Sequence, residues 1–385
     1  MPIRRTFISI ILPIVFTCLG FAIGYLVHAH WGTSSGSFPI LVQAYDILKN
    51  HGLSDLPPST SIEYGMIRGM VDAYGDPYTI FVEPVQHELE TDTLQGSFGG
   101  IGVQLSRDED GHIVLYPIHE SPAESAGIID GDRLLSVEDL VLIPETDIEL
   151  VQAELRGLVS DPVTISIGRA PDYFPQEFKI IRSEFPLPSV TWHLDVDEPR
   201  MGVIDINVFA ASTPDEILRA VADLGSRGAS SYVLDLRDNF GGLLTAGVDV
   251  ARLFLNEGVV IEQQYRGQNV ETFRVSQPGT LADLPMVILI NQHTASAAEI
   301  VAGSLKYHQR AKLIGVPTLG KDTIQLVFDL RDESSLHVTA AQWWVPGLDP
   351  PVSENGVQPD IFLDSNLEGS LPDPAIGSAK QILFK

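Results

Sequence analysis

Residues 286–299 read Met-Val-Ile-Leu-Ile-Asn-Gln-His-Thr-Ala-Ser-Ala-Ala-Glu. The first five form a short uninterrupted apolar run, which suits a strand buried on both faces. The polar stretch 291–294 ends it, and Ser296 with Glu299 forms a capping box that opens a helix over 297–308. A buried strand running into a helix is the repeating unit of an α/β sheet. Apolar runs at 232–236 and 312–316 read as companion strands, with a helix over 245–255 between the first of them and residue 286. Thr213-Pro214-Asp215-Glu216 starts another helix, whose apolar face is Ile217, Leu218, Val221 and Leu224. From about residue 186 onward the predicted fold is therefore mixed α/β.

Ahead of this core, residues 96–182 carry short strands. Val163-Thr-Ile-Ser-Ile167 alternates at period two, and 112–116 is a second β-rich run. Between them Ser121-Pro122-Ala123-Glu124 supplies an N-cap, a proline at the first helical position and a capping-box glutamate. Gly127 then ends a very short helix. This is the pattern of a small binding domain. Further upstream, Ile40, Leu41, Ala44, Tyr45, Ile47 and Leu48 make a helical stripe over 38–49. A second helix covers 61–73, Asp76-Pro77 is a turn, and the Gly/Ser-rich residues 31–38 read as a linker.

The N-terminus carries an apolar run at 7–27 behind Arg4 and Arg5. At about 1.5 Å per residue such a helix spans roughly 30 Å of hydrocarbon. The arginines stay cytoplasmic, which places the rest of the chain outside the cytoplasm. The competing reading is a cleaved signal, since Val27-His28-Ala29 offers a small-residue site, and it would leave a secreted protein. The run exceeds the about 7–15 residues of a signal core, which favours the anchor. Gly20 and Gly24 would give that helix a small-residue pairing face.

Composition removes several function classes. With 24 basic against 51 acidic residues and a net charge of −27, the chain cannot neutralise phosphates, so no nucleic acid is expected. A hydrophobic content of 44% excludes wholesale disorder. One cysteine excludes an intramolecular disulfide or a cysteine zinc site, and ten scattered histidines give no HExxH pattern. No metal and no cofactor are expected.

Three segments can carry chemistry. Ser296 sits at a strand-to-helix junction, where a plain capping role and a nucleophile's role coincide, because backbone N–H groups and the positive helix end are near. Lys321 is one of only seven lysines and lies in Gly320-Lys321-Asp322, before the β-rich stretch 324–330. It reads as a surface lysine or, in apolar surroundings that lower its pKa, as a base. Strand alternation puts Gln325 on its face, able to hold the amine, and Asp322 on the other. The third segment is Asp235-Leu-Arg-Asp-Asn-Phe-Gly-Gly242, a strand ending in a glycine pair that brings N–H groups close to a ligand. His293 lies three residues before Ser296, but a Ser-His-Asp triad needs a geometry that proximity in sequence does not supply. Asp205 and Asp235 read as polar residues at strand ends.

In this order and spacing the segments resemble the carboxy-terminal processing peptidases, or tail-specific proteases. Asp76-Pro77-Tyr78-Thr79 with Pro84 matches the stretch before that family's PDZ domain. Gly99-Gly-Ile-Gly102, Ser121-Pro-Ala-Glu-Ser-Ala-Gly127 and Gly131-Asp132 match the PDZ domain itself. Asp235-Leu-Arg237 with Gly241-Gly242, then Ala295-Ser296-Ala297 with Glu299, match the core. So do Gly315, Pro317-Thr318, Gly320-Lys321 with Gln325, and Asn355-Gly356-Val357 with Pro359-Asp360. The resemblance implies a multidomain α/β protein with four parts. These are a signal anchor or transmembrane segment over 1–30, a linker and small helical region over 31–90, a PDZ-like β domain over 91–185 and a crotonase-like mixed α/β serine peptidase core over 186–385. It implies Ser296 as nucleophile, Lys321 as general base, Gln325 as the lysine's orienter, and the N–H groups of Ala297 and Gly242 as oxyanion hole. Gly100, Ile101 and Gly102 would capture the C-terminal carboxylate of a protein substrate with a free, apolar tail. The membrane through the N-terminal helix, and a homodimer, complete the partners it allows.

The chain departs from the family where Asp322 replaces a glycine, Phe240 a common proline and Ala298 a common serine. A carboxylate beside Lys321 raises its pKa unless it points away. The alternatives are an inactive PDZ-containing scaffold that binds tails without cleaving them, and a hydrophobic-ligand carrier or acyl-CoA enzyme on the same core fold.

Overall fold

The computed structural model describes residues 38–108, 110–363 and 372–384. The expected membrane segment at 1–30 and the linker up to residue 37 lie outside the described residues. Among those described, no helix is long and apolar enough to cross a membrane. The chain divides into two units, one ending at Met70 and one running from Val71. The first contains helix α1 (Pro39–His51) and most of α2 (Ser59–Tyr74), as the apolar stripes predict, and neither helix has a buried residue.

The second unit begins with strand β1 (Ile80–Val82) and helix α3 (Pro84–Gln95). A β domain follows: β2 (Ser97–Gly100), β3 (Val103–Arg107), β4 (Ile113–Pro117), the short helix α4 (Pro122–Ala126), β5 (Asp132–Val137), β6 (Leu140–Val141), α5 (Ile148–Leu155), β7 (Pro162–Gly168), β8 (Pro175–Ile181) and β9 (Ser183–Pro186). Its antiparallel sheet runs β3-β4-β5-β7-β8, and β2 pairs apart from it with β9. Strand β3 is thus an edge. Val163, Ile165 and Ile167 bury fully, as their alternation requires, and pack with Ile101, Leu115, Val151 and Leu155. The Ser121 hydroxyl accepts the Glu124 N–H at 3.1 Å, and Gly127 closes α4 at φ 97°.

The remaining elements form the core: β10 (Val190–Leu194), β11 (Met201–Ile206), α6 (Thr213–Ser226), β12 (Ser231–Asp235), α7 (Leu244–Phe254), β13 (Val259–Tyr265), β14 (Glu271–Arg274), β15 (Met286–Ile290), α8 (Ala297–Tyr307), β16 (Lys312–Gly315), β17 (Thr323–Asp329), β18 (Ser335–Trp344), α9 (Val352–Asn355), β19 (Ile361–Phe362) and α10 (Pro374–Leu383). The central sheet has the order β10-β11-β12-β15-β16-β19, parallel except at β10. Ile288 and Ile290 pack on the side of α6, α7 and α8, whereas Val287 and Leu289 pack with Ala375 and Ala379 of α10. Covered on both faces, β15 must be apolar at every position. Truncating Ile288 to alanine there would cost about 2–5 kcal/mol.

A second, antiparallel sheet is built around β18. Strand β17 pairs along one side of it, and β13 and β1 along the other. Strand β1 therefore belongs to the core although it precedes the β domain in sequence. The β domain is an insertion between β1 and β10.

Candidate active site

Ser296 stands between β15 and α8 with φ 54° and ψ −117°. A side chain at positive φ in this region costs about 1–3 kcal/mol and persists only where its surroundings enforce it. Those surroundings are specific. The Thr294 hydroxyl donates to the Leu236 carbonyl at 2.8 Å and accepts the Asn291 N–H at 3.0 Å, which fixes the turn before the serine. At the start of α8 the Glu299 half of the capping box is made, the Glu299 N–H going to the Ser296 carbonyl at 2.8 Å, and the carboxylate does more than cap. Glu299 is fully buried. Its Oε2 accepts the N–H of Ser296 at 2.9 Å and of Lys321 at 2.8 Å, and its Oε1 accepts the Gly320 N–H at 2.6 Å and the Thr318 hydroxyl at 2.5 Å. Burial pushes the Glu299 carboxyl up, and these four donors offset part of that.

The Lys321 side chain is half-buried, and its Nζ donates to Gln325 Oε1 at 3.0 Å. Lys321 lies two residues before β17 begins, and the β17–β18 register shifts between Ile324 and Gln325. The contact expected from plain alternation is thus made across an irregularity. Burial lowers the lysine pKa, while the Glu299 and Asp76 carboxylates raise it. The carboxyl of Asp322, the neighbour in sequence, is pushed up by burial and bonded to Ser353. The Tyr78 ring centroid lies 4.9 Å from Nζ, and Gln325 Nε2 donates to the Tyr78 carbonyl.

Gly241 meets the serine directly. A Cβ on Gly241 would lie 2.8 Å from Ser296 Cβ and 3.2 Å from Ala297 N. Asn239, wholly buried, ties this loop down. Its side chain accepts the Gly241 N–H at 2.8 Å and donates to the Ile206 carbonyl at 2.6 Å, and its carbonyl accepts the Ala295 N–H at 2.9 Å. Gly242 (φ 138°) bridges to Phe209. Among the described residues, no protein acceptor is paired with the N–H of Ala297 or of Gly242. N–H groups left free in this way can stabilise negative charge where they face a reacting carbonyl.

The other expected site residues fall elsewhere. Gly100 ends β2, Ile101 is buried in the β-domain core, and Gly102 (φ 71°) leads into the edge strand β3. The carbonyls of Ile101 and Gly102 are taken by the N–H groups of Ala123 and Ile118, both at 2.9 Å. His293 is half exposed, pairs with Asp238 at 2.8 Å and stacks on Phe240. Asp235 pairs with Arg237, which also reaches Asp373 at the start of α10, and Asp205 lies near His193. No group of His, Cys, Asp or Glu among the described residues could hold a metal ion. Sequence reasoning gave Asp76 only a turn and Glu299 only a cap, and left Tyr78 and Asn239 without a role; their places inside the quoted motifs were the available signal.

Comparison with known proteins places the chain in a family. The description of peptidase family S41 matches residues 200–363. The carboxyl-terminal-processing protease of Synechocystis is 34% identical over 308 residues, covering 79% of this chain and 71% of that protein. The corresponding protease of Picosynechococcus is 34% identical, covering 77% and 72%. Superposition on a photosystem II D1 C-terminal processing protease gives a TM-score of 0.46 at 25% identity, over 90% of this chain and 91% of that one. The protein is a peptidase of the serine type. It belongs to peptidase family S41, among the carboxyl-terminal-processing proteases.

Proposed function

We propose that this chain is an endopeptidase that cleaves proteins near their C-termini with Ser296 as nucleophile and Lys321 as general base. Neutral Lys321 takes the hydroxyl proton as Ser296 Oγ attacks the scissile carbonyl. The resulting ammonium returns that proton to the leaving amine as the C–N bond breaks, which leaves an acyl-enzyme. Lys321 then deprotonates a water that attacks the ester, and the proton goes back to Ser296 as the acid is released. The N–H groups of Ala297 and Gly242 receive the oxyanion, each worth about 3–4 kcal/mol in the transition state. Gln325 orients the amine.

The observation that carries this reading is the half-buried lysine, held by Gln325 and tied to the serine's own backbone through Glu299. In support of a tail-binding role, the β domain has an edge strand, β3, directly after the 100–102 loop. A PDZ-like domain of this kind adds a peptide's last residues as a strand and captures its carboxylate on loop N–H groups. Substrates are then unstructured proteins with free, apolar C-termini. The apolar run at 7–27 would anchor the enzyme in the membrane with its catalytic core outside the cytoplasm.

The test is cleavage of an unstructured polypeptide with a free apolar tail by wild type, Ser296→Ala and Lys321→Ala. Both variants should lose turnover at least about 10³-fold; unchanged cleavage in either removes that residue from the mechanism. An amidated tail should be cleaved poorly, and equal cleavage would exclude carboxylate capture.

A further inference from the structure

The turn at 76–79 precedes the β domain in sequence, yet it is built into the core. Strand β1 pairs with β18 at Ile80–His337, Phe81–Leu336 and Val82–Ser335. The Thr79 hydroxyl, almost wholly buried, accepts the Thr339 N–H at 3.2 Å and donates to Asp76 Oδ2 at 2.6 Å. Asp76 Oδ1 accepts the Tyr78 N–H at 3.1 Å. These bonds lock the turn with the Tyr78 carbonyl against Gln325 Nε2 and the Tyr78 ring beside Lys321 Nζ.

A side-chain amide has an accepting end and a donating end. A main-chain carbonyl can only accept, so it selects the Nε2 end of Gln325 and leaves Oε1 facing the lysine. A neutral amine that gives a hydrogen to Oε1 keeps its lone pair free. With the amide reversed, Nε2 would donate into that lone pair and occupy the base.

We propose that the 76–79 turn is a positioning element of the catalytic base: the Tyr78 carbonyl fixes the orientation of the Gln325 amide and so keeps the Lys321 lone pair available. This rests on the Ser296–Lys321 reading. Asp76 acts on the lysine in two opposed ways. Its charge favours the ammonium, and its hydrogen bonds hold the turn that keeps the amine useful. Removing it therefore separates electrostatics from positioning.

The experiment measures kcat and KM against pH for wild type, Asp76→Ala and Asp76→Asn, with a free-tailed unstructured polypeptide. Melting temperatures serve as a folding control. In Asp76→Ala the plateau kcat should fall about tenfold or more with KM little changed, while the acidic limb moves to lower pH. Asp76→Asn keeps an acceptor in the turn and should recover most of the plateau loss with the limb still shifted. A plateau within twofold of wild type in Asp76→Ala overturns the proposal, and so does an equal loss in both variants. Thr79→Ala against Thr79→Ser asks the same question if Asp76→Ala does not fold, and the serine variant should recover the loss. Lys321→Ala is run alongside: activity in it would sink the dyad itself, a result distinct from any outcome at Asp76 or Thr79.

Discussion

Glu299 holds the main-chain N–H of Lys321 at 2.8 Å and, with the same carboxylate oxygen, the N–H of Ser296 at 2.9 Å. The two chain segments that the proposed mechanism brings together are therefore fixed to one buried atom, without need of a direct contact between their side chains.

Glu299→Gln offers one accepting oxygen to four donors and turns an amide N–H₂ against the rest. Turnover should fall about 10²-fold through misplacement, and stability by about 1–3 kcal/mol through unsatisfied buried groups. Steady-state kinetics and denaturant melts check both; full activity would mean that the bracket is dispensable.

The acidic limb of kcat/KM should reflect Lys321. In the proposed mechanism only the neutral amine works, and burial lowers its pKa, so activity should rise with pH along a limb below the ordinary lysine range. Residual activity in Glu299→Gln should show that limb at still lower pH, because a charge favouring the ammonium is gone. The stability sign follows. The folded lysine binds its proton less tightly than the unfolded one, so its contribution improves as pH rises from the folded pKa toward the ordinary value. A limb unmoved by Glu299→Gln would contradict the assignment.

Gly241→Ala introduces a Cβ 2.8 Å from Ser296 Cβ and 3.0 Å from the Ala295 carbonyl, at φ 105°. The loop must shift, and the Gly242 N–H with it. We expect kcat to fall about 10²–10³-fold, the cost of losing one oxyanion donor, with KM affected far less. Near-normal kcat would remove Gly242 from the oxyanion site.

Glu88, on α3, has its pKa raised to about 7 by burial, with Asp92 adding and Arg156 and Arg182 opposing. The folded state holds this proton more tightly than the unfolded one. Stability should therefore decline as pH rises from the ordinary carboxylate value through about 7, and stay level above. Glu88→Gln should gain on wild type over that window, by about 1 kcal/mol at pH 8 after discounting for solvent screening. Thermal melts at pH 5 and pH 8 measure it, and an equal difference at both would refute the shift.

Local signals were legible in the sequence where the structure is local. Thr213-Pro214-Asp215-Glu216 and Ser121-Pro122-Ala123-Glu124 open helices because capping chemistry acts within one turn. The run 286–290 betrayed a strand covered on both faces. Helix α3 escaped notice because it buries no residue and has no apolar stripe, although Pro84 at its start and Gly96 at φ 80° after its end mark it. Asp322 reads in sequence as facing away from the lysine, and its carboxyl is bonded to Ser353; what the sequence hid was the charges that do act. Glu299 and Asp76 reach the lysine through tertiary structure. The Tyr78–Gln325 bond joins residues 247 apart, which no local pattern encodes.

That long span sets an order of assembly. The sheet holding the lysine needs β1 from near the start of the described chain and β18 from near its end, and contacts of such separation form late. A chain still emerging from the ribosome carries Tyr78 long before Gln325 exists to meet it. The surroundings proposed for the catalytic base can therefore close only after residues 78 and 325 have both been delivered, which ties the ripening of the base to synthesis of the distant strand.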